Sequence, residues 1–279
     1  MILDEARNGA LELVARLPDA AIDLFAASLH IAADEYPQLP VGDYLARVEE
    51  WAGVLRGQHL HTASPDRAAR AISHLLFDRE GFFGNIERYY DPRNSYLNDV
   101  INSRAGIPVT LGILFLSVAR RLGIIASGVG LPGHFICRVD SGGKWVLVDC
   151  FHGGAMLKIG DCRSLVWHMT GGSLRFQPRM LRRCSNRQVL VRLLNNLKEL
   201  YLTIGDKRRA CRSLQRMTLL DPRRADCWRE LGVMLFEMGK PVASAEALQR
   251  YLELAPLASD ASLVRAGLSR LQCWNAQHN

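Results

Sequence analysis

The first 136 residues contain no cysteine, and the seven that follow (Cys137, Cys150, Cys162, Cys184, Cys211, Cys227 and Cys273) include no CxxC pair. An odd, irregularly spaced set of thiols excludes a disulfide framework and a zinc ribbon. Reduced thiols in a cytosolic protein are the expectation. Long hydrophobic runs are missing too. The longest, Val109 to Ala119, has 11 residues between Pro108 and the Arg120/Arg121 pair, about half of what a bilayer requires. The N-terminal stretch MILDEARNGALELVARLP turns acidic within five residues and has neither a basic start nor an apolar h-region, so no export signal is read there. The expected location is cytoplasmic, away from membranes. Compositional bias is also lacking: 48% hydrophobic and 23% charged residues are globular averages, which excludes a disordered or collagen-like chain. At 279 residues there is material for two ordinary domains.

Acidic residues are scarce in the C-terminal part. Residues 179–279 hold 18 Lys/Arg against 9 Asp/Glu, whereas residues 1–178 hold 17 against 19. A basic face of this kind suits an acidic protein segment, a nucleic acid or an anionic surface. No recognised nucleic-acid motif accompanies it, so an acidic protein or peptide partner is expected and nucleic acid is not.

Along residues 2–36, Leu11, Val14 and Ala15, then Ala21, Leu24, Phe25 and Leu29, recur at helical spacing on either side of a break at Pro18/Asp19. A third helix is read over Val41 to Leu55. Ser64 followed by Pro65 is an N-cap with proline at the first helical position, opening a fourth helix to about Phe77. Gly81, Gly84, Pro92 and Gly106 then punctuate shorter pieces rich in aromatic and amide side chains. Asn94, Ser95 and Asn98 are expected to act as caps and loop bonds, and Phe82, Phe83, Tyr89 and Tyr90 as packing groups. Pro108 opens a helix to about Leu122 that is apolar nearly all round, the mark of a central buried helix. Extended segments follow: IIASGVGL, HFICRV after the turn at Pro132/Gly133, and KWVLVDCF after a turn at Asp140 to Gly143. Residues 155–186 carry no clear pattern.

Further on, Leu197 and Leu231, Tyr201 and Leu235, Gly205 and Gly239, Leu220 and Leu254, and Asp221-Pro222 and Ala255-Pro256 stand 34 residues apart. That period, with glycine between helices and proline after the second helix, is the tetratricopeptide signature. Residues 257–273 are expected to supply a capping helix, since a helix pair cannot bury its apolar face alone.

Chemistry is sought where a buried helix precedes a hairpin. His134 begins one strand and Asp149 ends the next, and fifteen residues leave two arms of about six around the turn, which brings the two side chains to neighbouring positions. In a Cys/His/Asp site the thiol sits at a helix N-terminus, the imidazole takes its proton and the carboxylate orients the imidazole. The helix entrance here reads Gly106-Ile107-Pro108-Val109-Thr110, without a thiol. Cys150 and His152 beside Asp149 have metal-ligating side chains. Residues at i and i+2 of one short segment, with no further ligands nearby in sequence, do not make a site. No metal and no cofactor are expected.

The stretches DPRNSYLNDVINSRAGIPVTL, ARRLGI, GVGLPGHFICRV and WVLVDCFHGG, together with LVRLLNNLKELYL and the two repeats, resemble the SirB-type bacterial family, in which a transglutaminase-like domain is followed by tetratricopeptide repeats. A related module occurs in some F-box proteins. The resemblance implies an α+β fold with a papain-like core. Within that wider superfamily the catalytic His falls on His134 and the Asp on Asp149, and the Cys falls at or within two residues of Pro108, where this chain has no nucleophile.

The expected architecture is thus a helical subdomain (1–80), a transglutaminase-like core with a small antiparallel sheet (81–186), and tetratricopeptide-like repeats at about 188–221 and 222–255 plus a capping helix (187–279). The expected function is a non-catalytic cytosolic interaction or regulatory protein, a pseudoenzyme with a residual His134/Asp149 dyad and a partner-binding face at Arg208, Arg209, Arg212 and Arg216. The alternative is a hydrolase or acyl-transfer enzyme in which His134 serves as base for Thr110, Ser103 or a non-local thiol such as Cys150.

Overall fold

In a computed structural model of the chain, the structure describes residues 2–278, with side chains from 9 to 271; Cys273 lies outside the described side chains. The chain forms two compact units, Met1–Leu193 and Leu194–Asn279. It is a mixed helix and sheet protein, as the sequence pattern requires.

The first unit begins with helices α1 (Ile2–Arg16), α2 (Leu24–Ala33), α3 (Val41–Leu55) and α4 (Pro65–Ser73). Ser64 caps α4 by accepting from Arg67 N, with Pro65 at the first helical position where a missing N–H costs nothing. The helix runs on into a π-helical stretch, His74–Arg79. A two-residue strand β1 (Phe83–Gly84) pairs in parallel with β2 (Ala105–Gly106), on either side of the short helix α5 (Leu97–Ser103). Asn94 and Ser95 lie before α5 in a 3-10 turn and do not cap it; the N-cap is Tyr96, without a side-chain bond. The Asn94 amide is spent on the loop instead, donating to the carbonyls of Arg88 and Tyr89 and accepting from Asn85.

Helix α6 (Pro108–Arg121) is buried from Pro108 through Ala119. At roughly 1.5–3 kcal/mol for each large apolar side chain removed from water, its Leu, Ile, Val and Phe residues form the main apolar investment of the unit. Four antiparallel strands follow in the order β3 (Ile125–Leu131), β4 (His134–Ser141), β5 (Lys144–Asp149) and β6 (Ala155–Leu157). The β4–β5 turn pairs Ser141 with Lys144 across Gly142 and Gly143, at φ of 56° and 75°. Two successive left-handed residues are what a tight hairpin of this kind demands, and glycine meets that demand without strain. Helix α7 (Ile159–Met169) occupies the stretch that lacked a readable pattern.

The sheet lies between α6 and α7. On one face, Phe135 lies against α6: a Cβ at Gly112 would come within 2.5 Å of its ring, and one at Gly128 of β3 within 2.4 Å. On the other, Val129, Leu131, Ile136 and Leu147 pack with Cys162 and Val166 of α7. Period-two alternation of side chains therefore assigns Phe135 and Cys137 to the α6 face and His134 and Ile136 to the α7 face.

Helix α8 (Asn186–Thr203) is capped from far away: Asp19 accepts from the backbone N–H groups of Asn186 and Arg187. The second unit then contains α9 (Lys207–Leu220), α10 (Ala225–Glu237), α11 (Pro241–Leu254) and α12 (Ala261–His278). Gly205 and Gly239 both adopt positive φ, 79° and 70°, at the turns that the 34-residue period marked. Helices α10 and α11 approach closely because Gly232 has no Cβ to meet Leu248, and α12 covers the end of the pair by packing Ala261 and Leu268 against Tyr251 and Leu252.

Gly112→Ala forces a methyl group into the Phe135 ring and is expected to cost about 1–3 kcal/mol, the usual penalty of overpacking a tight core. Urea denaturation of the purified variant checks this; an unchanged midpoint would mean that α6 and β4 are not in tight contact.

Candidate functional site

His134 opens β4 and Asp149 closes β5, and the structure brings them together: Nε2 of His134 lies 2.9 Å from Oδ2 of Asp149. Both side chains are almost fully buried, at 3% and 1% exposure. The chain then turns back through Gly153 and Gly154, both at positive φ, with Gly154 N donating to Asp149 O. That turn returns His152 to the carboxylate, its Nδ1 lying 2.8 Å from the same Oδ2. His152 is half-exposed, at 51%. The other carboxylate oxygen, Oδ1, accepts from the backbone N–H groups of Phe151 and His152. Both lone-pair-bearing ends of the buried anion are thus engaged, which is what makes its burial tolerable. Burial pushes the Asp149 carboxyl up, but the hydrogen bonds and charge of His134, and then of His152, outweigh it and hold the group below the usual carboxylate range.

Sequence spacing missed this third member. Read along the chain, His152 had only Cys150 and Asp149 beside it; folding supplies His134 from another strand. The ligand atoms of His134, Asp149 and His152 all lie within 4.8 Å of one another. The pair of glycines after His152 was the one sequence signal for the returning turn.

Aromatic rings surround the imidazole. Phe151 stands edge-on to His134 at 6.2 Å between ring centres, and Tyr89 stands edge-on to Phe151 at 6.0 Å. Phe151 also lies against Gly84, which pairs with Gly106 just ahead of α6. The entrance of α6 is therefore linked to the imidazole through Phe151.

The nucleophile candidates lie elsewhere or are otherwise engaged. Thr110 is buried at the start of α6, where its hydroxyl accepts from Ile107 N and donates to the Asn94 carbonyl. Ser103 donates to Asp99 O. Cys137 contacts the Gly112 carbonyl, and Cys150 contacts the Cys137 sulfur at 3.7 Å, which places both on the α6 face, across the sheet from His134. Burial first, and then the neighbouring Cys137, push the Cys150 thiol well above its ordinary value. Cys162 is the thiol that packs on the His134 side of the sheet, a residue that sequence order gave no reason to single out. It sits in the apolar cluster with Ile136 and Leu147, and burial, followed by the charges of Asp161 and Asp149, raises it to about 11. A thiol in such a setting stays protonated at neutral pH and is a poor nucleophile.

The four arginines expected to form one docking face separate into different roles. Arg208 is exposed and Arg212 half-buried. Arg209 is paired with Asp206, its own helix cap, and stacks on Tyr201. Arg216 is buried at 8% exposure, which corrects its assignment to an exposed face: the position lies on the apolar side of α9 among Ser213, Met217 and Leu220.

A family model described as the transglutaminase-like superfamily matches residues 42–195, and one described as tetratricopeptide repeat matches residues 197–269. A UPF0162 protein of Xylella fastidiosa is 34% identical over 258 residues, spanning 91% of this chain and 92% of the relative. A UPF0162 protein of Pseudomonas aeruginosa is 28% identical over 251 residues, 90% of each chain. F-box only protein 21 of mouse is similar over 104 residues at 34% identity, which is 34% of this chain and 17% of that one.

Asp149→Ala strands an imidazole and two backbone donors, and an expected loss of about 3–5 kcal/mol follows from removing one partner of a buried pair. His152→Ala, at the exposed side, is expected to cost about 1 kcal/mol or less. Chemical denaturation of both variants checks the ranking, and equal losses would contradict the geometry. Cys150 and Cys162 are expected to resist iodoacetamide near neutral pH in the folded protein and to react once it is unfolded, as read by peptide mass spectrometry.

Proposed function

Because the chain belongs to the transglutaminase-like superfamily, in its UPF0162 branch, and continues into tetratricopeptide repeats, we propose that it is a cytosolic protein-interaction or regulatory protein whose core no longer performs acyl transfer. One observation carries this reading: the His134 imidazole is oriented by a carboxylate, and among the described residues it bonds to no thiol or hydroxyl. The catalytic arrangement of such a site needs a nucleophile within hydrogen-bond reach of the base. Pro108 stands at the helix entrance where a nucleophile would be activated, and a proline there serves helix initiation alone.

The repeats favour a protein partner, since stacked helix pairs present extended surfaces that suit peptide segments. The exposed guanidinium of Arg208, with Arg212 one turn along α9 and Arg223 beyond its end, favours a segment rich in Asp and Glu. Among the described residues no helix is long and apolar enough to cross a membrane.

Two experiments test the reading. A broad acyl-enzyme probe is expected to leave the native protein unlabelled; labelling that disappears in His134→Ala would establish a hydrolase or acyl transferase instead. Binding of an Asp/Glu-rich peptide is expected to weaken as salt rises, because exposed charges are screened over about 10 Å at 0.1 M ionic strength. Reversing Arg208 and Arg212 to Glu is expected to weaken it about tenfold or more, at roughly 1 kcal/mol for each exposed pair, with the thermal midpoint unchanged. A fall in midpoint with unaltered peptide affinity would make these arginines structural. A partner captured from lysate that is lost on nuclease treatment would point to nucleic acid.

A further inference from the structure

We propose that His134, Asp149 and His152 form a binding site for a first-row divalent transition ion of the zinc type. Three features of the cluster lead there. The donor set, two imidazoles and one carboxylate, is the one that such ions prefer over magnesium or calcium, which favour all-oxygen surroundings. The geometry is convergent: both imidazoles face the same oxygen, Oδ2, at 2.9 and 2.8 Å. Two donor atoms bound to zinc at about 2.1 Å in a tetrahedral arrangement lie about 3.4 Å from each other, so each imidazole–carboxylate edge needs to open by only about 0.5 Å to become a pair of neighbouring ligands.

The surroundings are those of a supported site with one open side. Oδ1 is held by the N–H groups of Phe151 and His152, which fixes the carboxylate plane and leaves Oδ2 for the ion; outer bonds of this kind orient metal ligands. His134 and Asp149 are buried, whereas His152 is half-exposed, so an ion enters from the His152 side and keeps its remaining positions there. A buried His–Asp pair alone is explained by orientation of a catalytic base, but among the described residues no thiol or hydroxyl bonds to that imidazole, and the pair alone does not account for a second imidazole on the same oxygen.

The exchange balances without a redox step. In the ion-free protein each imidazole donates its facing N–H to Oδ2. On binding, that proton passes to water and the ring's single N–H resides on its other nitrogen, so each facing nitrogen offers its lone pair to the ion. The two hydrogen bonds are replaced by three coordinate bonds. Because the ion binds the folded arrangement, it raises the thermal midpoint.

The test uses the full chain stripped with a chelator and titrated with zinc by calorimetry, with cobalt(II) visible absorption as a second readout. One zinc per chain is expected, with a raised thermal midpoint that magnesium does not reproduce. His152→Ala, whose side chain is exposed and whose loss leaves the buried pair intact, is expected to weaken zinc at least tenfold, a loss that even outer-shell changes can cause, and to abolish the cobalt bands. His134→Ala is expected to do the same, and if it fails to fold, His152→Ala decides. His74→Ala, at an exposed imidazole bonded to Asp78 on the α4 segment, is expected to leave the titration unchanged. Wild-type protein that takes up no zinc, or that binds it as tightly with His152→Ala, overturns the proposal. This outcome is independent of the acyl-probe and peptide experiments, so either reading can fail while the other stands.

Discussion

The placement of the sheet depends on one contact, the Phe135 ring held between Gly112 of α6 and Gly128 of β3. Neither glycine has a Cβ, so a buried helix and a neighbouring strand both reach the ring, and side-chain packing at that density leaves little freedom for β4 to shift. The register of β4 then settles every other residue on it. Cys137 turns toward α6 with Phe135, while His134 turns the other way. A shift of one residue would exchange the two faces of the strand and take His134 away from Asp149.

Asp149 is the second constraint, and it is electrostatic. An ionised carboxylate with 1% exposure is costly to bury unless its oxygens are fully engaged. Two backbone donors and two imidazoles engage them. The imidazoles hold the carboxylate in its charged form, and the charge holds the imidazoles in place. The entrance of α6 shows the same economy of purpose. Pro108 needs no partner for an N–H that it lacks, and the Thr110 hydroxyl closes the turn before it.

Much of the fold was readable because it rests on short-range rules. Ser64-Pro65 announces α4 through capping chemistry, and the apolar run after Pro108 announces a helix with no polar face. The repeats announce themselves through Gly205 and Gly239, whose left-handed conformation recurs at 34 residues. What escaped was set by distant partners. Asn94 reads as a cap, yet its amide is claimed by carbonyls of the loop before it. Strand β6 has only three residues, and its existence depends on β5 offering a free edge. Helix α8 owes its cap to Asp19, whose side chain arrives from the other end of the unit.

For the site, the sequence by itself determined that no thiol stands at the entrance of the buried helix. It also determined that a histidine and an aspartate end neighbouring strands of one hairpin, because a tight turn and period-two alternation leave them nowhere else to be. Only the tertiary structure decided that His152 joins them, that Cys162 rather than Cys150 shares their face of the sheet, and that Arg216 is buried while Arg208 is exposed. The physical reason is the range of the forces involved. Hydrogen-bond ladders and helix periodicity act between residues a few positions apart, whereas the convergence of side chains from separate elements follows from how apolar faces pack against one another, which no local spacing encodes.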